Sequence, residues 1–544
     1  MARWRAAPRA LLGVLLVSAW APARAAEVSA AEAEAVPAAS VAQGDFRMDS
    51  VSCPSDLKVY VYEYPGMEDM RWYALARAQR QACIDEGVRC ANHFAGEHLL
   101  AQFSLELVLH DFFAQSCVRT HDAEKADLFF VPHYADLQYR DNGRKAAPSV
   151  FEQALLDVVE DGDTVGWKKH FNTTDKWWHR RGGADHILVQ AAPVTGLRHP
   201  KGKRGFAHYM QQLTPPIWLS IELSRSFVAE YPTCSRKNIV LPYPVPGRGW
   251  HDGTWRGQAR RVAEEAFTHP AAGEARPLRI YNQAGNHGCV NVRMGIKREL
   301  ATATPEYGGV KSPSYVLEAG FSMGSAHKTA KFHSARQAMM HLSSFCPCPE
   351  GDSPSAKRHY DAILAGCVPV LISDDALWAF AQEFGFGELD PGLFALRIPE
   401  EAMTQHGGVG SNATTFPMLK HIAAVDATRL AALRQAGTQA AHFYRYYAAR
   451  NYGKQDPLVS QAFPDGGALA MLVHELAKRA KGARWPKCES ELRRPHYALS
   501  KQYCGAVPVE SELNVLRQRL KQSPGDTSIM KAMDAYKKGR VYRR

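Results

Sequence analysis

Short apolar runs and longer helical stretches alternate twice along this 544-residue chain, and that alternation fixes the class of fold open to it. The first series runs through a strand at Leu57–Tyr62, a helix at Glu97–Phe113, a strand at Ala126–Val131 stopped by Pro132, a helix at Val150–Val159, and strands at Asp185–Val189 and Asn238–Leu241. Gly257 to Arg276 is charged, Ala-rich and broken by Pro270 and Gly273, so the boundary between two lobes falls there. The series then restarts with a strand at Leu278–Asn282, a glycine turn at Gly285–Gly288 and a helix from Val290. Helices at His327–Ser344 and Ser355–Leu364, a strand at Val368–Ile372 and helices near 425–448 and 466–480 complete it. Strand–helix alternation implies parallel sheets with helices on both faces. The predicted class is therefore α/β, with two facing Rossmann-like lobes. By analogy of fold, such lobes hold a ligand in the cleft between them, at the carboxyl ends of the strands.

With 46% hydrophobic and 22% charged residues, the chain is neither largely disordered nor a fibrous rod. No apolar run reaches the 18 or so residues of a membrane span, which excludes a multi-pass membrane protein. The formal net charge of +11 is unevenly placed. Residues 1–25 carry +4 and residues 481–544 carry +9, leaving the 455 residues between them at −2. A nearly neutral body argues against a nucleic-acid groove.

The ends carry their own signals. Arg3, Arg5 and Arg9 precede an apolar stretch from Ala10 to Ala21, and Ala23-Arg24-Ala25 fits a small-x-small cleavage site. Residues 1–25 thus read as a signal peptide, with a short type II anchor as the rival, and residues 26–55 as a stalk. The body then divides into an N-terminal lobe at 56–256, a linker at 257–276 and a C-terminal lobe at 277–480, followed by a basic tail at 481–544. Sequons at Asn172 and Asn412 suit a secretory lumen. Eleven cysteines are an odd number, so at least one thiol stays outside intrachain pairing. Proximity pairs Cys83 with Cys90 and Cys488 with Cys504; Cys346-Pro347-Cys348 has no further ligands at metal-binding spacing.

Chemistry concentrates in Phe345–Asp375, where a Pro-, Gly-, Asp- and Ser-rich loop feeds the helix that begins near Ser355. Its hydroxyls and the free N–H groups of a helix start suit phosphate or ribose. Arg358 and Asp361, three apart, share a helical face, and a cation beside a carboxylate suits a nucleotide-sugar. The same spacing serves a capped helix with a surface ion pair. Gly285-Asn286-His287-Gly288 with Arg293 is a second βα turn that could meet pyrophosphate, or be an ordinary turn. There is no P-loop, no complete GxGxxG and no HExxH, and Gly351-Asp352-Ser353 lacks the second Gly of a GxSxG elbow.

Several segments together resemble one family. Leu57–Glu63 is similar to its opening strand, and Arg119–Pro132 to the segment that ends in "FFVP". Trp178, Arg180 and Gly182-Gly183-Ala184-Asp185-His186 resemble its W-x-R-x-G-G-x-D-H turn. Ser344-Phe345-Cys346, then P-x-G-D-x-P-S, an Arg, an Asp-Ala and Gly366–Val370 resemble its strongest signature. The family is the exostosin-like glycosyltransferases, glycosyltransferase family 47, in its plant and algal branch. The match covers about residues 56–425, in order.

The resemblance implies a GT-B fold and an inverting transfer from a nucleotide-sugar, usually a UDP-sugar, to a glycan or glycoprotein acceptor in the Golgi lumen. It implies no metal or other cofactor. Matching positions make Arg293, Gly351, Asp352, Ser353, Ser355, Arg358 and Asp361 the donor-site candidates. An inverting step needs a base for the acceptor hydroxyl. Asp136, Asp185 and His186 of the first lobe are the candidates. There are departures. Val189–Gly196 stands where many relatives carry an acidic segment, Glu350 where a small or apolar residue is common, and Trp378-Ala379-Phe380 where "L-P-F" is usual. An active transferase is therefore set against a non-catalytic partner that kept the fold, in a hetero-oligomer with an active glycosyltransferase.

Overall fold

The computed structural model describes residues 53, 55–63, 104–134, 165, 168–169, 176–191, 215–244, 276, 278–284, 290–302, 315–319, 339–351, 353–382, 387–404, 416–446 and 467–481. All lie in one compact unit, Val51–Arg544. The leader, both sequons and almost all of the stalk, the linker and the tail lie outside them, as do Asp136, Asp352 and Gly285–Gly288.

The first lobe is a six-stranded sheet. Its strands are β1 (Val59–Val61), β2 (Arg119–Thr120), β3 (Leu128–Phe130), β4 (His186–Gln190), β5 (Ile217–Ser220) and β6 (Ile239–Val240). They lie in the order β2-β1-β3-β4-β5-β6, and every pairing is parallel. Helix α1 (Leu105–Gln115) packs Leu105, Leu109, Phe112 and Phe113 into the core. Helix α2 (Lys176–Arg181) precedes β4, and α3 (Arg225–Glu230) follows β5 with Ser224 Oγ capping Phe227 N at 3.1 Å. Strands β3, β4 and β5 are buried at every residue, as expected for a sheet covered on both faces.

The second lobe repeats the plan with β7 (Leu278–Ala284), α4 (Val290–Thr302), β8 (Tyr315–Ala319), β9 (Ser343–Pro349), α5 (Lys357–Leu364), β10 (Val368–Ile372) and β11 (Leu396–Arg397). The order β11-β10-β9-β7-β8, again all parallel, is the first lobe's order without its last strand. Helices α6 (Glu400–Thr404), α7 (Pro417–Ala423), α8 (Ala427–Phe443) and α9 (Gly467–Lys481) follow. Both sheets are thus doubly wound, which is the two-lobe, GT-B-like architecture expected from the sequence.

One expectation fails. The helix placed over His327–Ser344 is helical at Met339–His341, and from Ser343 the chain is the buried strand β9. Pro347 and Pro349 made this stretch read as a loop, because proline cannot donate to a ladder. The pairing with β7 is at Ser343 and Phe345; the prolines stand beyond it, facing Val370 and Ile372 of β10. Disulfide Cys346–Cys367 ties β9 to the turn before β10, and Cys53–Cys117 ties the chain before β1 to the end of α1. The proximity pairs Cys83–Cys90 and Cys488–Cys504 lie outside the described residues. Cys348 is the free thiol among the described cysteines; burial pushes its pKa up to about 12, so it stays protonated.

One hydrophobic cluster runs through both lobes, joining Ile187, Leu219 and Val240 to Trp378, Tyr444 and Leu472. Helix α9 takes part in it. Its Arg479 donates to the carbonyls of Lys237 at 2.8 Å and Asn238 at 2.9 Å, just ahead of β6. A guanidinium satisfied by several carbonyls is a strong clamp, since each bond to a charged donor contributes about 1.5–3 kcal/mol. The last described helix therefore packs on the first lobe as well as on the second.

Candidate active site

In a doubly wound sheet, ligands bind outside the carboxyl ends of the strands where the strand order reverses. In the second lobe that point lies between β7 and β9. Arg293, in the first turn of α4, reaches it: Nε and Nη2 donate to the Glu350 carbonyl at 3.2 and 2.7 Å, directly beyond β9. Glu350 N donates to Ile372 O at 3.2 Å, so the end of β9 is fixed from both sides. Two predicted donor elements that are far apart in sequence meet here: the start of α4 and the loop after β9.

 Gly351, Ser353, Ser355, Arg358 and Asp361 follow in one short stretch. A Cβ at Gly351 would stand 3.1 Å from the Ser355 carbonyl, which leaves little room for any side chain. Ser373 Oγ, beyond β10, donates to Pro354 O at 2.9 Å and pins the loop from below. Arg358 and both serines are buried. Asp361 accepts from Lys357 Nζ, one turn earlier on α5, so Lys357 and Asp361 form an ion pair on that helix. The residue at the N-cap of α5 is Ala356, which supplies no side-chain cap.

A buried carboxylate of the first lobe reaches the residue just before that N-cap. Glu222 stands two residues beyond β5, buried to 2% exposure. Its Oε2 accepts from Ser355 N at 2.8 Å, from Ser355 Oγ at 2.5 Å and from Ser353 Oγ. Tyr243, beyond β6, is hydrogen-bonded to Ser355 Oγ at 3.0 Å. Beside them, Arg225 N donates to Asp375 O at 2.9 Å, and Ser224 bridges Ala376. The carboxyl edges of the two sheets therefore meet across a strip of named contacts. Sequence reasoning missed Glu222. The available signal was one carboxylate inside the apolar run Ile217-Trp218-Leu219-Ser220-Ile221-Glu222-Leu223.

Two of the base candidates lie elsewhere. Asp185 and His186 stand at the amino end of β4, opposite the edge that faces the second lobe. Arg180 of α2 donates to Asp185 Oδ2 from Nε at 3.0 Å and Nη2 at 2.8 Å, and His186 Nδ1 lies 2.9 Å from Oδ1. His186 Nε2 is hydrogen-bonded to Tyr62 OH at 3.0 Å. Its ring stacks on Phe129 at 5.0 Å and meets Trp178 edge-on at 4.8 Å. Burial alone would raise the Asp185 pKa, but the bonds from His186 and Arg180 outweigh it and hold the carboxyl below its ordinary range. Burial lowers the pKa of His186 against the pull of Asp185. Both groups are fully enclosed, so neither meets an acceptor hydroxyl in this conformation. The expected role as acceptor-facing bases does not fit these positions, because the aromatic lid of α2 covers them.

The same contacts explain the W-x-R-x-G-G-x-D-H motif. Gly182 and Gly183 have φ of +57° and +79°, where side chains are strained. A Cβ on Gly183 would come within 2.4 Å of the Trp178 ring. Trp178, Arg180, the glycines, Asp185 and His186 are one packed unit.

Among the described residues one group of three ligand-type side chains comes together: Glu388, His474 and Glu475. Lys478 Nζ already contacts Glu388 at 2.5 Å and Glu475 at 3.1 Å, so an ammonium supplies the positive charge there.

Comparison with known proteins agrees with this architecture. The Exostosin GT47 domain matches residues 53–411. A probable glucuronosyltransferase of Oryza sativa subsp. japonica is 24% identical over 338 residues, covering 61% of this chain and 65% of the rice protein. A probable glucuronoxylan glucuronosyltransferase of Arabidopsis thaliana is 26% identical over 377 residues, 68% of each chain. A probable beta-1,4-xylosyltransferase of the same plant is 23% identical over 331 residues, covering 60% of this chain and 65% of the relative. The chain thus spans slightly under two thirds of the length of several curated relatives that it matches. The domain match takes in both sheets and every donor-site candidate, and the chain belongs to the exostosin family, glycosyltransferase family 47.

Proposed function

We propose that this protein is an inverting glycosyltransferase that moves a sugar from a UDP-sugar to a glycan or glycoprotein acceptor in the secretory pathway. The observation that carries the reading is the convergence of Arg293, Gly351, Ser353, Ser355 and Arg358 at the carboxyl edge of the second sheet, against the first lobe. Two buried arginines and a helix start can offset the charge that develops on a departing diphosphate. The names of the relatives make UDP-glucuronic acid and UDP-xylose the first donors to try.

In the step itself, the acceptor oxygen attacks the anomeric carbon from the face opposite the diphosphate. The bond from that carbon to the diphosphate breaks, UDP leaves with the electron pair, and the acceptor proton passes to a base. With Asp185 and His186 enclosed, Asp136 is the base we favour. It follows Tyr134 by two residues, and the described chain up to Tyr134 leaves β3 at the sheet's carboxyl edge. Tyr134 has φ of +47°, and backbone in this region often marks a functional turn. Disulfides Cys53–Cys117 and Cys346–Cys367 support an oxidising compartment.

The test is calorimetric titration of the secreted chain with a panel of UDP-sugars, with Arg358→Ala alongside. One donor should bind, and the variant should lose about a hundredfold or more in affinity. A folded wild-type chain that binds no donor overturns the reading and favours a partner subunit that kept the fold.

A further inference from the structure

The serines assigned to the donor loop owe their arrangement to a residue of the other lobe. We infer that Glu222 is a positioning residue, which builds the donor loop from across the cleft and makes donor binding depend on contact between the lobes. The inference rests on the donor-site reading above and goes beyond it, because it gives the first lobe a part in donor affinity.

Three features of the contact support this. First, one carboxylate oxygen gathers three donors of the loop: Ser353 Oγ, Ser355 N and Ser355 Oγ. Hydrogen bonds to an ionised acceptor are about twice as strong as neutral ones, so this oxygen dominates the local geometry. Secondly, α5 begins without a cap of its own, since Ala356 has no side-chain acceptor. Glu222 binds Ser355, the residue just before that N-cap, and so places negative charge ahead of the helix start, where the aligned peptide dipoles favour it. Arg358 lies in the first turn of α5, so the carboxylate that fixes the start of the helix also fixes where Arg358 begins. Thirdly, the contact is not isolated. Tyr243 reaches the same Ser355 hydroxyl, and the backbone joins the lobes at Arg225–Asp375 and Ser224–Ala376. Residues 222–225 therefore form a rail on the first lobe, along which the donor loop and the chain after β10 are aligned.

A rival role follows from the same atoms. A carboxylate that takes the N–H just ahead of a helix start and two hydroxyls can occupy the seat of a donor phosphate. In that case donor binding would have to expel Glu222, and removing the carboxylate would tighten binding. The two roles predict opposite signs.

The experiment measures UDP affinity by calorimetry, and kcat and KM with the preferred UDP-sugar, for the full secreted chain and for Glu222→Ala, Glu222→Gln and Tyr243→Phe. Thermal melts establish that each variant is folded. Glu222→Ala should weaken UDP about ten- to a hundredfold, the range for a lost charge-assisted bond. Most of the effect should appear as a raised KM for the donor, with KM for the acceptor unchanged. Glu222→Gln, which keeps an acceptor oxygen, should restore part of the affinity. Tyr243→Phe, which leaves the carboxylate in place and serves if Glu222→Ala does not fold, should weaken UDP a few-fold. Unchanged or tighter UDP binding in the folded Glu222 variants overturns the inference while leaving the donor site standing. Failure of the wild-type chain to bind any donor overturns the donor-site reading and this inference with it.

Discussion

Arg180 holds the Asp185 carboxylate with two donors, Nε at 3.0 Å and Nη2 at 2.8 Å, while His186 Nδ1 lies 2.9 Å from the other oxygen. The charge is buried, paired and directed to the inside of the lobe. Breaking such a pair from one side typically costs about 3–5 kcal/mol, because it strands the remaining charge. Arg180 keeps some solvent contact, so the lower end applies. Asp185→Asn should destabilise the chain by about 3 kcal/mol in chemical denaturation, with donor affinity and kcat per folded molecule within about twofold of wild type. Loss of turnover without loss of stability would instead make Asp185 a catalytic group.

Acid should unfold this protein earlier than its carboxylates alone would dictate. His110, His133 and His359 are buried, and burial lowers their pKa values to about 4, 3 and 3, with smaller contributions from Arg119 at His110 and from Arg397 and Arg358 at His359. Each is neutral in the folded chain but binds a proton in the unfolded chain below about pH 6.5. A depressed folded pKa contributes stability that is present above the unfolded value and is lost as pH falls towards the folded one. Each histidine should therefore remove about 1.4 kcal/mol per pH unit between about pH 6 and pH 4. Denaturation midpoints measured across that range, with His133→Gln as comparison, will show whether the slope is present and falls in the variant.

Gly183→Ala tests the packed turn ahead of β4. The added methyl meets the Trp178 ring, and the backbone there has φ of +79°. Overpacking costs about 1–3 kcal/mol. Left-handed backbone adds about 1–2 kcal/mol. A loss of about 2–5 kcal/mol is expected from the two together, read by denaturant titration. Gly182→Ala meets no atom within 4 Å, so it should show the backbone part alone. Equal losses at the two positions would rule out the clash with Trp178.

Local chemistry made much of the fold legible. Strands β1, β3, β4, β6, β7 and β10 and helices α1, α4, α5, α8 and α9 each overlap an expected segment, because each is an apolar run with a single period. Strands β5 and β8 are apolar runs for which no segment was expected, and three further strands lack such a signal. β2 and β11 are two residues long, and β9 carries two prolines that its register tolerates. The donor loop was legible for the same local reason: its glycine, its serines and Arg358 are close in sequence. Glu222 was not, since its partners lie 131 and 133 residues away.

The sequence by itself determined the α/β class, the two-lobe plan and the chemical character of the loop after β9. These follow from hydrophobic period, turn residues and short-range motifs. Tertiary structure alone decided which polar residues face the cleft. Asp185 and His186 look reactive in sequence and lie enclosed beneath Trp178, whereas Glu222 looks like a stray carboxylate in an apolar run and lies against the donor loop. The physical reason is that a side chain's protonation and reach depend on what is packed around it. Packing joins residues far apart in the chain, which no local pattern records.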